Sequence, residues 1–157
     1  MKSKSVIISY SFGSRKNGRC KSNIELAKFT EDLHEKTRAP VIAQHEIAEC
    51  LKSKPLFVVK RHRIKSNYLG SEEVTAQAVY FIRKKGFSSV LLVAQPFLHR
   101  HKCKKILESY GLRIIAPKCP RYLSTGNLIS GGQGVRKVLL YMRSCRNLQG
   151  DEGCSAD

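Results

Sequence analysis

The sequence predicts an α/β fold in three layers, with helices on both faces of a mostly parallel sheet of about five strands. Short apolar runs alternate along the chain with longer segments of helical periodicity, which is typical of strand–helix–strand units. The run 90–93 reads Val-Leu-Leu-Val, as expected for a strand that is buried on both faces of such a sheet. Clusters of basic residues follow several of these runs, where the parallel strands would end.

In the first half of the chain, apolar runs and turn residues predict three strands and two helices. Ser22 or Asn23 can cap the first helix, because a side-chain oxygen there accepts a hydrogen bond from a free backbone N–H. Pro40 and Pro55 precede the second and third strands. The predicted strands are 5–11, 41–43 and 56–59, and the predicted helices are 22–36 and 46–52.

The second half of the chain is predicted to add two strands and three helices. Ser71 is the expected N-cap of a helix, because Glu72 and Glu73 then lie in its first turn, near the positive end of the helix dipole. Gly86 and Gly111 are expected to end the helices that they follow. The predicted strands are 89–94 and 113–116, and the predicted helices are 72–85, 97–110 and 135–145.

Composition predicts a single folded domain with a strong attraction for anions. The chain has 157 residues, of which 41% are hydrophobic and 26% are charged, and this balance argues against a disordered protein. We assign residues 1–146 to one domain and residues 147–157 to a polar tail. The formal net charge of +17 favours phosphorylated ligands, nucleic acid or an anionic membrane surface as partners.

The sequence also predicts the compartment of the protein and the state of its thiols. The apolar run at the amino terminus contains Ser9, Tyr10 and Ser11 and lacks the cleavage site of a secretory signal. No stretch approaches the roughly 18 apolar residues of a transmembrane helix, so we expect a cytoplasmic protein. The six cysteines include no CxxC pair and are expected to be free thiols, and no metal site is predicted.

The basic clusters are expected to meet at one edge of the sheet. They occupy residues 15–21, 60–63 and 99–102, each after a predicted strand. Parallel strands end at the same edge, and open α/β folds bind their ligands there. We therefore predict an anionic ligand at this edge, held by Arg61, Arg63 and the basic residues of the first loop.

The sharpest local signal is the junction between the fourth strand and the helix after it. A strand that ends at Ala94 delivers Gln95 to the sheet edge, and the helix N-terminus beyond it favours an anion. His99 is a candidate for acid–base chemistry near neutral pH, and Arg100 and His101 are candidates for binding the anion. A solvated basic helix face explains the same pattern.

Two further segments carry candidate site residues. Ser71 is a candidate ligand donor or a helix cap. Glu73 is a candidate ligand acceptor or general base, although the helix dipole alone also explains an acidic residue there. Gly13 and Ser14 lie where doubly wound folds bind phosphate, but their loop does not have the GxGxxG pattern. The glycine-rich segment 131–134 is a flexible turn that could close over a ligand.

Three segments in the middle of the chain carry a family resemblance. Residues 71–75 read Ser-Glu-Glu-Val-Thr, residues 86–93 read Gly-Phe-Ser-Ser-Val-Leu-Leu-Val, and residues 95–101 read Gln-Pro-Phe-Leu-His-Arg-His. They resemble the Thr-x-Glu-Asn-Ala, Gly-Ile-x-x-Ile-Leu-Leu-Val and Ser-x-x-His-x-x-Arg motifs of the SanA/YdcF-like family of bacterial and archaeal proteins. The resemblance implies a Rossmann-like fold and a site at this edge that takes a nucleotide or S-adenosylmethionine.

Functions from different classes fit these observations. The leading prediction is a SanA/YdcF-like protein that binds a phosphorylated or nucleotide-like small molecule, with Glu73 and His99 as catalytic candidates. The alternative is a non-catalytic module that binds nucleic acid through its basic rim, with an affinity that falls steeply as salt increases. A third is a member of the family that keeps the fold without any chemistry.

Overall fold

The computed structural model describes residues 4–12, 21–96 and 98–118, all within the first of the chain's two units, residues 1–124. Several predictions concern residues outside these ranges and stay predictions. They are the helix 135–145, the turn 131–134, the boundary after residue 146, the cluster at 15–20, and the candidate ligands Gly13 and Ser14.

The described chain builds one all-parallel sheet, which confirms the predicted fold class. Its strands are β1 (Ser5–Ser9), β2 (Val41–Gln44), β3 (Phe57–Val59), β4 (Ser89–Val93) and β5 (Arg113–Ile115). They are ordered β3-β2-β1-β4-β5 across the sheet, and each neighbouring pair is parallel. This order is that of a Rossmann-like fold, which winds outward in both directions from its central pair of strands.

Helices cover both faces of the sheet and complete the three layers. They are α1 (Lys21–Thr37), α2 (His45–Ala48), α3 (Ser71–Lys85) and α4 (Leu98–Ser109). On one face, Leu26 of α1 and Ile47 of α2 are buried in the same apolar cluster. On the other face, Ile82 of α3 and Leu107 of α4 are buried in a second cluster.

Alternation along the central strands divides their side chains between the two clusters. Ile8 of β1 pairs with Leu92 of β4, and both are fully buried beneath α3 and α4. Ile7 and Val93 lie on the opposite face of the sheet and are buried beneath α1 and α2. Since both faces of β1 and β4 are covered, these strands read as continuous apolar runs rather than as alternating ones.

The helix ends agree with the predictions in part. Gly86 and Gly111 end α3 and α4 with φ angles of 70° and 75°, a left-handed conformation that favours glycine. The prediction that Ser71 is an N-cap is wrong by one residue. Gly70 is the N-cap and Ser71 is the first helical residue, because the backbone of Gly70 is extended and its carbonyl accepts the first helical hydrogen bond, from the N–H of Val74 at 3.0 Å. The Ser71 hydroxyl contacts His99.

The second helix is also shorter than predicted. It ends at Ala48 rather than at Lys52. The backbone N–H groups of Lys52 and Ser53 both donate to the Glu31 carboxylate on α1, at 2.9 Å each. An acceptor on a neighbouring helix therefore replaces the helical hydrogen bonds that the sequence pattern suggested.

The reversal of direction at the centre of the sheet determines where a ligand fits. The chain leaves β1 toward β2 on one side, whereas it leaves β4 toward β5 on the other. The two connections therefore diverge and open a crevice at the carboxyl edge, between β1 and β4. The basic clusters at 60–63 and 99–102 follow β3 and β4 at this edge, as predicted.

The core makes a direct prediction about stability. We expect Ile8→Ala to lower the free energy of unfolding by about 2–5 kcal/mol, because it leaves a cavity between the sheet and α3. Ile115→Ala removes the same atoms from a residue that is 39% exposed on edge strand β5, and should cost about 1 kcal/mol or less. Urea unfolding of both variants measures the difference.

If Ile8→Ala does not fold, the milder variant Ile8→Val can be measured instead, since it should lower the free energy of unfolding by only about 0.5–1.5 kcal/mol. Equal losses for Ile8→Ala and Ile115→Ala would contradict the assignment of Ile8 to the core.

Candidate binding site at the carboxyl edge of the sheet

The first turns of α3 and α4 bring together two residues that the sequence analysis singled out. Oγ of Ser71 and Nε2 of His99 are 3.2 Å apart, although the residues are 28 positions apart in the chain. Each side chain lies in the first turn of its helix, at the carboxyl edge. The pair therefore lies beside the crevice between β1 and β4.

His99 occupies a largely apolar environment at this edge. Its ring centroid lies 6.2 Å from that of Tyr10 and 5.6 Å from that of Phe12, the residues that follow β1. Burial lowers the pKa of His99 below its usual 6.5, and the positive charge of Lys102 lowers it further. His99 is therefore neutral at pH 7. Its Nδ1 atom is buried and has no hydrogen-bond partner among the described residues.

Ser71 is held by a short hydrogen-bonded chain that the sequence analysis missed. The hydroxyl of Thr75 donates to the backbone oxygen of Ser71 at 2.6 Å. Since that hydroxyl has only one proton, the hydroxyl of Tyr10 must be the donor in its 2.7 Å bond to Thr75. Burial raises the pKa of Tyr10, so its proton is retained at neutral pH. The chain connects β1 to the start of α3 and fixes the position of Ser71.

Cys103 is a second residue that sequence reasoning missed. It is fully buried on α4, one turn beyond His99, and hydrogen-bonds to Ser71. Burial raises the pKa of the Cys103 thiol to about 12, so the thiol keeps its proton at neutral pH. The spacing of four residues between Ser71 and Thr75, and between His99 and Cys103, was the available signal, because such pairs share one helix face.

Glu73 lies at the same edge, but its carboxylate is engaged by a loop. Arg63 donates from Nε to Oε1 at 2.7 Å and from Nη2 to Oε2 at 3.1 Å. The backbone N–H of Arg63 and the side chain of Gln77 also donate to Oε1, and Nε2 of His62 lies 3.6 Å from Oε2. The hydrogen bonds from Arg63 and, to a smaller extent, from Gln77 lower the pKa of Glu73 to about 2. Such a carboxylate is a weak proton acceptor at neutral pH, and its clearest task is to anchor the loop after β3.

The remaining predicted ligands are spread along the rim. Arg100 is directed toward β5, where its Nη2 donates to the backbone oxygen of Pro117 at 2.8 Å. Arg61 and His101 are exposed, and Gln95 is half-buried between β4 and α4. The structure therefore brings Ser71 and His99 into contact and leaves these four side chains around the pair rather than on it.

Two amides hold the start of the loop after β1. Oδ1 of the fully buried Asn23 accepts from the backbone N–H of Phe12 at 2.8 Å. Oε1 of Gln44, at the end of β2, accepts from the N–H of Ser11 at 3.1 Å. Asn23 therefore orients the loop through the hydrogen bond that its side chain accepts from the backbone of Phe12. Phe12, 39% exposed, is held at the mouth of the crevice.

Comparison with known proteins adds no assignment. No protein-family model matches the chain, and no curated protein matches it in sequence. The SanA/YdcF-like resemblance therefore stays a prediction.

No group of three or more His, Cys, Asp or Glu side chains in residues 4–12, 21–96 and 98–118 is arranged to hold a metal ion. None of the helices in those ranges has the length and apolar character needed to cross a membrane. Cys103 is a buried free thiol and Cys50 is half-buried, and the other four cysteines lie outside these ranges.

The Glu73 contacts predict a stability change at acid pH. The pKa of Glu73 is lowered in the folded state from 4.5 to about 2, so its contribution is present above pH 4.5 and is lost as the pH falls toward 2. We expect Glu73→Gln to be less stable than the wild type at neutral pH. As the pH falls from 4.5 toward 2, the variant should lose less stability than the wild type does. Urea unfolding at a series of pH values measures both.

Glu35→Gln, on the exposed side of α1, is the matched control and should retain the wild-type acid dependence. An acid dependence in Glu73→Gln equal to that of the wild type would rule out the anchoring role.

The environment of His99 predicts its titration. Its pKa is lowered in the folded state, so the stability that it contributes is present above pH 6.5 and is lost as the pH falls through the folded pKa. We expect the ring resonances of His99 to titrate with a midpoint below 6.5 in NMR spectra, with His99→Asn identifying the signal. A midpoint at or above 6.5 would mean that the ring is not buried as described.

Proposed function

We propose that the protein binds a nucleotide or another phosphorylated small molecule in the crevice between β1 and β4. The observation that supports this most directly is the buried Nδ1 atom of His99, which lacks a hydrogen-bond partner in the described ranges. A buried polar atom without a partner costs free energy, and a ligand that supplies the partner recovers it. The position at a topological switch point is the usual one for ligands of this fold.

The proton arrangement around His99 favours an anionic ligand group. Cys103 is protonated at neutral pH and hydrogen-bonds to Ser71, so its thiol can donate to the Ser71 hydroxyl. In that arrangement the Ser71 hydroxyl donates to Nε2 of His99, and the neutral imidazole carries its proton on Nδ1. An N–H donor in a buried position suits a phosphate oxygen.

Aromatic and basic groups around the crevice suit the other parts of a nucleotide. The partly exposed ring of Phe12 offers a face on which a base can stack. Arg61 and Arg100 lie at the rim and supply positive charge for further phosphate oxygens, and the exposed ring of His101 lies there as well. S-adenosylmethionine, which the family resemblance implies as an alternative, would use the aromatic face but not the phosphate contacts.

If the protein is an enzyme, His99 is the group best suited to move a proton. It is neutral at pH 7 and faces the crevice, whereas Glu73 is held by Arg63 at a pKa of about 2. Ser71 and His99 resemble the nucleophile and base of a serine hydrolase, but within the described residues no carboxylate orients the other nitrogen of the ring. We therefore propose ligand binding first, with proton transfer by His99 as the chemistry it would support.

No specific observation favours the alternative, nucleic-acid binding along the whole basic rim. Two of its cations are paired with acidic side chains, since Arg63 contacts Glu73 at 2.7 Å and Lys102 contacts Glu72 at 2.8 Å. These pairs reduce the positive charge that the sequence pattern suggested for the rim.

A ligand panel tests the proposal. We expect ATP, ADP or AMP to raise the melting temperature in a thermal-shift assay, because a ligand that binds only the folded state stabilises it. His99→Asn should weaken the affinity measured by calorimetry by about tenfold or more, since a hydrogen bond to a charged group contributes about 1.5–3 kcal/mol. S-adenosylmethionine and inorganic phosphate complete the panel.

His34→Asn is the matched control. The ring of His34 bonds to the backbone oxygen of Ala39, just before β2 and therefore at the opposite edge of the sheet, so nucleotide affinity should not change. Failure of every compound in the panel to bind, or equal affinities for the wild type and His99→Asn, would overturn the proposal.

A further inference from the structure

A shallow groove runs along the outer face of α3, away from the carboxyl-edge crevice. We call it the α3 groove. Its walls are formed by side chains of α3, by the loop after β3 and by the end of α4. Its lining includes Arg63, Val79, Tyr80, Arg83, Lys84 and Tyr110.

The α3 groove combines positive charge with aromatic surface. Arg83 and Lys84 supply positive charge, and no acidic residue is among the described lining of the groove. Arg63, whose charge is paired with Glu73, supplies further N–H donors at one end. Tyr80 is 71% exposed in the middle of α3, whereas its neighbour Val79 is buried in the apolar cluster below. A large aromatic ring thus stands in water, flanked by cations.

Two of the cations are held in place before any ligand arrives. Nη2 of Arg83 donates to the backbone oxygen of Tyr110 at 2.9 Å, and two donors of Arg63 are fixed by Glu73. Each guanidinium has five N–H donors, so others remain for a ligand. Side chains that are already ordered lose less entropy on binding, which favours this surface over an ordinary patch of mobile lysines.

We propose that the α3 groove binds single-stranded nucleic acid, with a base stacked on Tyr80 and phosphates held by Arg83, Lys84 and Arg63. Positive grooves with exposed aromatic rings are the usual means of binding unpaired strands. Ala76, Tyr80 and Lys84 follow one another at four-residue intervals, so they share one face over about 12 Å of helix. The groove therefore accommodates a short stretch of strand.

The exposed ring of Tyr80 indicates which class of anionic partner fits the α3 groove. An acidic peptide would use the cations but not the aromatic face, and a duplex keeps its bases stacked inside. Of these three macromolecular partners, only an unpaired strand offers both phosphates and free base faces to the same groove. This inference is independent of the proposed nucleotide site, because it depends on a different surface and on none of the residues around His99.

Fluorescence anisotropy with a labelled single-stranded oligonucleotide tests the proposal. We expect Tyr80→Ala to weaken binding by about tenfold or more, the usual effect of losing one stacked base. Lys84→Gln should weaken binding and reduce the slope of log affinity against log salt by about 0.7, because one phosphate contact is lost. Circular dichroism of both surface variants verifies that they are folded.

The controls match each change in chemistry. Tyr68→Ala removes a ring that is 82% exposed in the loop before α3, and Lys36→Gln removes a charge from the last turn of α1 on the other side of the sheet. Both should bind as the wild type does. Several results would overturn the proposal: unchanged binding in Tyr80→Ala and Lys84→Gln, equal affinity for a duplex, or equally strong competition by polyglutamate. Loss of binding in Arg100→Gln but not in Tyr80→Ala would assign the strand to the rim instead.

Discussion

The parallel pairing of β1 with β4 is the constraint on which the rest of the structure depends. These strands are covered by helices on both faces, so their register, with Ile8 beside Leu92, determines which side chains fill both apolar clusters. The same pairing is the point at which the chain turns in opposite directions along the sheet. The pairing of these buried strands therefore also sets the position of the crevice that opens beside them.

The polar groups at the carboxyl edge are positioned by contacts with the end of the buried central strand β1. Tyr10, directly after β1, donates to Thr75 and so ties the start of α3 to the central strand. Ser71 and His99 then meet at 3.2 Å, because the two helices that carry them begin at the same edge. A contact between flexible loops would not hold such a geometry, whereas helix starts supported by a packed core do.

The charge of the protein is distributed less simply than its total suggests. Glu73 is a buried carboxylate that draws the basic loop after β3 onto the start of α3, and Glu72 pairs with Lys102 across the two helices. In contrast, Arg83 and Lys84 lie in the α3 groove, whose described lining contains no acidic side chain. The free positive potential therefore lies partly on the outer face of α3, while burial keeps His99 neutral within the crevice.

The sequence by itself determined the fold class, the order of the elements and the edge at which basic residues gather, because apolar periodicity and turn residues act locally. It also singled out Ser71, Glu73 and His99 as candidate site residues. Only the tertiary structure decided what these residues do: Ser71 became a partner of His99 rather than a cap, and Glu73 became an anchor for Arg63. Contacts between residues 28 positions apart depend on how α3 and α4 pack, and local patterns carry no record of that packing.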